Sequence, residues 1–257
     1  MTEEKMTADM AAETVAVKKA TTNDDYFANL DFSKLEISLE SMLKGGVHFG
    51  HRKSRKHPKM TEFVYTTRKG INIIDLQKTL EKLEEALQFI AKLKAEGKTI
   101  ILVSTKKQAT DIIKSAAEKC NLPYVVERWL GGTFTNFKII QERTKYLKEG
   151  QEMLERGEFK NYTKFEQMKK AEELEKLEKK MGGIKNMNLL PGAVFAVDIK
   201  EDSLAIKEAH RMGIPVIALA DTNNDPTQVE YPIPSNDDAI SSVRLILSYI
   251  CKVLAEK

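Results

Sequence analysis

Apolar positions after Asp75 recur every three to four residues, so Leu76, Leu80, Leu83, Leu87 and Ile90 share one face of a helix. Asp75 supplies its cap and Gly97 its stop. A shorter helix is predicted at residues 38–44, with Ser38 as cap and Gly45 or Gly46 providing the positive φ that ends it. Elsewhere the period changes. Residues 63–66 and 71–74 read as strands, and 99–104 has the continuous apolar character of a strand buried on both faces. A helix over 106–120 follows, then a strand at 124–126. The same rhythm returns with a strand at 193–198, a helix at 203–211, a strand at 215–220 and a last helix from Asp238. Strands alternating with amphipathic helices predict a parallel sheet covered on both faces. The fold class is therefore α/β, a three-layer parallel-sheet core of flavodoxin-like or Rossmann-like type.

Between residues 136 and 182 the strand signal vanishes. Phe137, Ile140, Thr144, Leu147, Gln151 and Leu154 keep a three-four spacing up to Gly157, and a second helix runs past Leu174, Leu177 and Met181. Over residues 150–181, eight acidic and eight basic side chains interleave around a narrow apolar seam, the pattern of an antiparallel coiled-coil hairpin. Residues 1–36 keep neither period and carry eight acidic side chains against four basic, which predicts a flexible acidic extension. The domain reading is thus an extension at 1–36, a globular α/β domain from 37–135 and 183–257, and a helical arm at 136–182.

Composition narrows the class. A chain of 257 residues, 42% apolar and 31% charged, can bury a sizeable core, which excludes fibrous and wholly disordered proteins. No run approaches the roughly 18 to 20 apolar residues of a membrane span, and the polar, acidic start is unlike a signal peptide; a cytoplasmic protein is expected. Cys120 and Cys251 lie far apart and read as separate, reduced, packed thiols.

The net charge of +3 hides segregation. Residues 44–69 carry eight basic side chains against Glu62 alone, and hold three of the four histidines. Within that stretch His51, Arg52, Lys53, Arg55, Lys56, His57 and Lys59 form a basic loop, flanked by Phe49 and Tyr65 as stacking groups, which points to nucleic-acid phosphates. Lys106, Lys107, Arg128 and Lys138 are weaker candidates of the same kind. For the segment Arg-Trp-Leu-Gly-Gly-Thr-Phe-Thr-Asn at 128–136, a tight turn with Trp129 in the core and an RNA-facing surface both fit the residues.

Enzymatic signals are absent or bland. Neither a Gly-x-Gly-x-x-Gly nor a Gly-x-x-x-x-Gly-Lys loop occurs, so no nucleotide cofactor is expected. The histidines sit among cations that repel a divalent metal, and no cofactor or metal is assigned to them. Asp221, Asp225, Asp237 and Asp238 fall where aspartates cap turns and helices; a structural Mg²⁺ at Asp221 and Asp225 is the minority reading. One rival is a Mg²⁺-dependent phosphoryl-transfer enzyme using Asp198, Asp221 and Asp225, and a second is a protein-docking scaffold acting through the hairpin without RNA.

Taken in order, Gly46-Val47-His48-Phe49-Gly50-His51 with Pro58-Lys59-Met60, Ile73-Ile74-Asp75-Leu76-Gln77-Lys78-Thr79, Thr105-Lys106-Lys107-Gln108-Ala109, Arg128-Trp129-Leu130-Gly131-Gly132, Gly182-Gly183-Ile184-Lys185, Gly213-Ile214-Pro215-Val216, Asp221-Thr222-Asn223 and Asn236-Asp237-Asp238-Ala239-Ile240 closely resemble the bacterial small-subunit ribosomal protein two family. The resemblance covers the chain from about Ile37 onward. It implies a non-catalytic three-layer α/β domain interrupted by a coiled-coil hairpin, bound to small-subunit ribosomal RNA in the cytoplasm. It also implies neighbouring small-subunit proteins as partners, among them the messenger-binding ribosomal protein number one, with no membrane and no small-molecule substrate. Ser104 and Ser235 stand where the family has glycine, and the acidic extension is longer than the family's usual start. A longer carboxyl tail found in some members has no counterpart here.

Overall fold

The computed structural model describes Phe27, Leu35, residues 37–157 and residues 163–255. The acidic extension lies outside these residues apart from Phe27 and Leu35. From Leu35 on, the chain forms α1 (Leu39–Lys44), β1 (Phe49–Arg52), β2 (Val64–Arg68), β3 (Ile71–Ile74), α2 (Leu76–Ala95), β4 (Ile100–Val103), α3 (Thr110–Cys120), β5 (Tyr124–Val125), α4 (Phe137–Glu155) and α5 (Lys164–Met181). It continues as β6 (Ala193–Ala196), α6 (Ser203–Arg211), β7 (Val216–Ala220), β8 (Tyr231–Pro234) and α7 (Ile240–Ala255).

Five strands make one parallel sheet in the order β5-β4-β6-β7-β8. Counting from β4, this is the flavodoxin-like order, in which the chain runs outward to one side, returns, and builds the other side. Side chains alternate across the pleat. Ile101, Val103, Val194, Ala196, Val216, Ala218 and Ala220 face the layer formed by Ala205, Ile206 and Ala209 of α6 together with Trp129, Phe134 and Ile140. Ile100, Leu102, Phe195, Ile217 and Leu219 therefore point the other way, toward the layer of α2, which packs on β8, α3, which packs on β4 and β5, and α7, which packs on both helices. The α/β architecture and its parallel sheet agree with the sequence.

Two strands were not predicted. β8, Tyr-Pro-Ile-Pro, carries two prolines, which the ladder tolerates because β8 is an edge strand. Thr79 of α2 donates to the Pro234 carbonyl at 2.7 Å, and Phe89 stacks on Tyr231 with ring centroids 4.3 Å apart, so α2 covers this edge. β1 lies inside the segment read as a basic loop. It pairs antiparallel with β3 in a three-stranded sheet of order β1-β3-β2, bulged between Phe49 and Arg52.

Helix ends follow local chemistry. Ser38 and Asp75 cap α1 and α2 by accepting from Ser41 N–H and Gln77 N–H. Gly46, not Gly45, has the positive φ. α3 starts at Thr110, later than the predicted 106, because residues 105–109 turn to bring the Lys106 side chain onto the sheet edge. α4 and α5 pack together: Gly150 leaves room for Leu174, where a Cβ would come within 2.6 Å, and Gln151 donates to Glu178 at 2.9 Å. A capping box at Thr163 and Glu166 starts α5.

Candidate nucleic-acid interface

In a parallel sheet the loops after the carboxyl ends of the strands carry function, and the crevice lies where the winding reverses. Here that point is between β4 and β6. Lys106, just beyond β4, places Nζ 3.0 Å from Asp198 beyond β6, and 2.8 Å from both Asp237 and Asp238 beyond β8. His51 extends the network. Its Nδ1 lies 2.9 Å from Asp221, beyond β7, and its Nε2 lies 3.5 Å from Asp238. Asn224 donates to Asp198 and Asp237, and Asp202 accepts from the Thr105 backbone and hydroxyl.

Burial sets the proton affinities. Asp237 is pushed up to about 8 by burial, reinforced by the charges of Asp221 and Asp198. Burial likewise raises Asp202 to about 6, against its bonds from Thr105. Burial disfavours the Lys106 ammonium, but Asp237, Asp238 and Asp198 outweigh it and hold the group charged well above the ordinary lysine range. The hydrogen bond to Asp221 raises His51. Ligand-type atoms of His51, Asp237 and Asp238 come within 4.8 Å of one another, a spacing that suits a cation. The Lys106 ammonium, in contact with two of the three, already fills that role.

The basic segment is fastened to this edge of the sheet. Thr222 accepts the His51 N–H on its hydroxyl and the His57 N–H on its carbonyl, each at 2.8 Å. Lys59 reaches Asp225 at 2.9 Å and Thr227 at 2.6 Å. Pro58 opens a 3₁₀ turn (Pro58–Phe63) that buries Met60 and Phe63 in the core. Between these anchors Arg52, Lys53 and Arg55 are exposed and Lys56 half-buried; no carboxylate among the described residues pairs with any of the four. Arg52 and Arg55 border one open cleft with His51, Asp221, Asn236 and Asp238.

The candidates therefore divide. His51 and Lys106, read from the sequence as phosphate contacts, are committed to internal carboxylates, because the fold brings to them aspartates that lie far away in the chain. Lys59 is paired as well. Lys107, Arg128 and Lys138 are exposed and lie in other segments of the chain than the 52–56 cations.

The 128–136 segment resolves into a turn with Trp129 buried, edge-on to Phe134 at 4.8 Å between centroids. Its organiser is Glu208 of α6, which the sequence reading missed. This buried carboxylate accepts from Gly132 N–H at 2.7 Å, Phe134 N–H at 3.0 Å and Trp129 Nε1 at 3.3 Å. Asp237 and Asp238 also differ from expectation. The turn before α7 is made by Asn236, whose side chain accepts the Asp238 and Ala239 N–H groups, while both aspartates face Lys106. Asp225 does act as a turn former, accepting Thr227 N–H at 3.0 Å. One local signal for the network was available: Lys106 comes shortly after a fully buried strand, where an unpaired ammonium would be costly.

Among the described residues no helix is long and apolar enough to cross a membrane. Residues 42–257 match the family described as Ribosomal protein S2. The chain is 49% identical over 220 residues to a protein of Roseiflexus castenholzii named small ribosomal subunit protein uS2, an alignment covering 86% of this chain and 84% of that protein. With the fold, the ordered motifs and this match in agreement, the chain belongs to the ribosomal protein S2 family.

Proposed function

We propose that this chain is a structural constituent of the small ribosomal subunit that holds small-subunit ribosomal RNA through Arg52, Lys53, Arg55 and Lys56. The family is one of structural ribosomal proteins, not enzymes. One observation carries the RNA reading: four cations that have no carboxylate partner among the described residues project from a segment fastened on both sides to the sheet edge. Such an array neutralises phosphates and releases counterions without first having to be ordered. Lys59, Lys107, Arg128 and Lys138 contribute at the margins. Contact runs through phosphates and RNA shape, since an A-form major groove is too narrow for side chains to read.

In this reading, 37–135 and 183–257 are the globular body and 136–182 is a coiled-coil arm. The messenger-binding ribosomal protein number one docks beside the body. The protein works in the cytoplasm as part of the ribosome. The test is binding of small-subunit RNA across a salt series, comparing the wild type with Arg52→Ala/Lys53→Ala/Arg55→Ala/Lys56→Ala. Four lost phosphate contacts flatten the slope of log K against log salt by about three, at roughly 0.7 to 0.9 each. An unchanged slope in a variant of wild-type stability removes the assignment. Co-sedimentation of the tagged chain with the small subunit tests the assembly itself.

A further inference from the structure

Two cations stand at the tip of the β2–β3 hairpin, outside the basic segment. Arg68 ends β2 and Lys69 opens the turn into β3. Arg68 lies opposite Ile71, so the loop is only Lys69 and Gly70, with positive φ at both residues, 49° and 78°. Two positive φ values are what a type I′ hairpin turn requires, and Asn or Gly is favoured at its first position. A lysine is costly there, because in the left-handed region its Cβ crowds the backbone. Among the described residues the only other non-glycine with positive φ is Asn121, at the end of α3, where a left-handed Asn is ordinary.

The fold carries this tip to the basic segment. Lys53 N–H donates to the Gly70 carbonyl at 2.8 Å, and Arg52 of β1 lies opposite Ile71 of β3. Behind the tip, fully buried Asn72 ties the three strands together. Its Nδ2 donates to the His51 carbonyl at 3.1 Å, and its Oδ1 accepts from the Thr67 hydroxyl at 3.0 Å. Arg68 and Lys69 are exposed, and no carboxylate among the described residues pairs with either. Strand pairing thus sets them beside Arg52 and Lys53, although a 3₁₀ turn and the whole of β2 intervene in the chain.

We infer that Arg68 and Lys69 are further phosphate contacts, and that the hairpin tip and the basic segment grip the backbone of small-subunit RNA together. The inference rests on the RNA reading above and adds a second prong to it. A polyanion is the fitting partner, because Arg52, Lys53, Arg55, Lys56, Arg68 and Lys69 stand together with no carboxylate pairing them among the described residues. The prong is set before RNA arrives: a two-residue turn fixes the register of its strands, and the Lys53–Gly70 hydrogen bond fixes the tip against the segment. The left-handed lysine points the same way. Asparagine would relax the turn and discard the charge, and a local cost of this kind is expected where a side chain serves a partner more than the fold.

The test uses the full chain with small-subunit RNA across a salt series, and urea unfolding of each variant. Lys69→Asn suits the left-handed position and removes the charge. Its urea midpoint should rise while its slope of log K against log salt flattens by roughly 0.7 to 0.9. Arg68→Gln/Lys69→Asn should flatten the slope by about 1.5. A lower midpoint for Lys69→Asn, or an unchanged slope in the double variant, overturns the inference. Arg52→Ala/Lys53→Ala/Arg55→Ala/Lys56→Ala separates the two ways of failing. If it flattens the slope and the hairpin variants do not, the segment binds RNA and the tip does not. If neither set changes the slope, the RNA reading falls and takes the second prong with it.

Discussion

Two groups of cations at the carboxyl edge of the sheet differ in what the fold brings beside them. Lys106 and His51 sit in the winding-reversal crevice, each in contact with buried or partly buried aspartates. Arg52, Lys53, Arg55 and Lys56 follow His51 directly and carry no internal pair among the described residues. In other open α/β sheets this crevice takes a ligand. Here a tethered ammonium fills it, and the surrounding carboxylates would repel a phosphate. Charge density along a sequence therefore does not say which charges are offered to a partner. That depends on which aspartates the topology delivers beside them.

The contrast predicts that the two groups respond differently to mutation. The largest effect belongs to Lys106→Met, which keeps the stem and removes the charge. The side chain is 10% exposed, and its loss leaves Asp198 and Asp237 without their cation. Breaking a buried pair from one side costs about 3 to 5 kcal/mol, to be read as a lower urea midpoint at unchanged m-value. The four exposed cations should each change stability by about 0.5 kcal/mol or less. A Lys106→Met variant as stable as the wild type would mean that the network contributes nothing to the fold.

Next in size is the pH dependence. Asp202 and Asp237 have folded pKa values of about 6 and about 8, above the ordinary aspartate range, and His51 is also raised. Groups raised on folding favour the folded state while protonated. The carboxylate contribution is complete below about 4 and is lost as pH rises through 6 and then 8; that of His51 is complete below its ordinary value and lost as pH rises through the folded one. Asp225, held at about 2 despite some burial by Lys59 and Thr227, acts in the other direction and matters only in strong acid. The urea midpoint should therefore fall between mildly acidic and mildly alkaline pH. From Asp202 alone the fall is on the order of 2 to 3 kcal/mol, at about 1.4 per unit. Asp202→Asn should remove the step near pH 6 and Asp237→Asn the step near pH 8. Profiles identical to wild type would contradict these assignments.

Much of the architecture was legible because the sheet and helix periods are written in short windows. The helix over residues 203–211 and the strands around 100–103, 193–196 and 216–220 fall where the pattern put them. Two strands escaped for local reasons. Tyr-Pro-Ile-Pro violates the composition of a central strand and is admissible only at an edge, which local sequence does not reveal. β1 is Phe-Gly-His-Arg, with no alternation of apolar and polar positions, and only its pairing with β3 makes it a strand. The Lys106 network and the Glu208 anchor escaped for a different reason. Their partners lie far apart in the chain, so each residue taken alone resembles a surface charge. The charge of the 52–56 segment was legible because a run of cations is visible in a short window, whatever it meets.

The smallest effect tests how the two groups are joined. Gly50 lies in β1 against Thr222. A Cβ there would come within 2.5 Å of Thr222 Cγ2, 2.8 Å of its Oγ1 and 3.1 Å of the Asn72 carbonyl. Thr222 is buried and holds both His51 and His57, so it has little room to yield. Gly50→Ala should cost about 1 to 2 kcal/mol through overpacking. Thr222→Ser removes the methyl group that clashes most and keeps the hydroxyl that binds His51. Its cost should therefore be smaller in the Gly50→Ala background than in the wild type, and a double-mutant cycle reads the difference as a favourable coupling. Strictly additive costs would mean that the segment is not held at this point. RNA binding separates position from charge: Gly50→Ala leaves all four exposed cations in place, so affinity should drop while the salt slope stays that of the wild type. A flattened slope would instead mean that phosphate contacts are lost when the clamp slips, and that the fastening, more than the count of charges, decides how many phosphates the segment reaches.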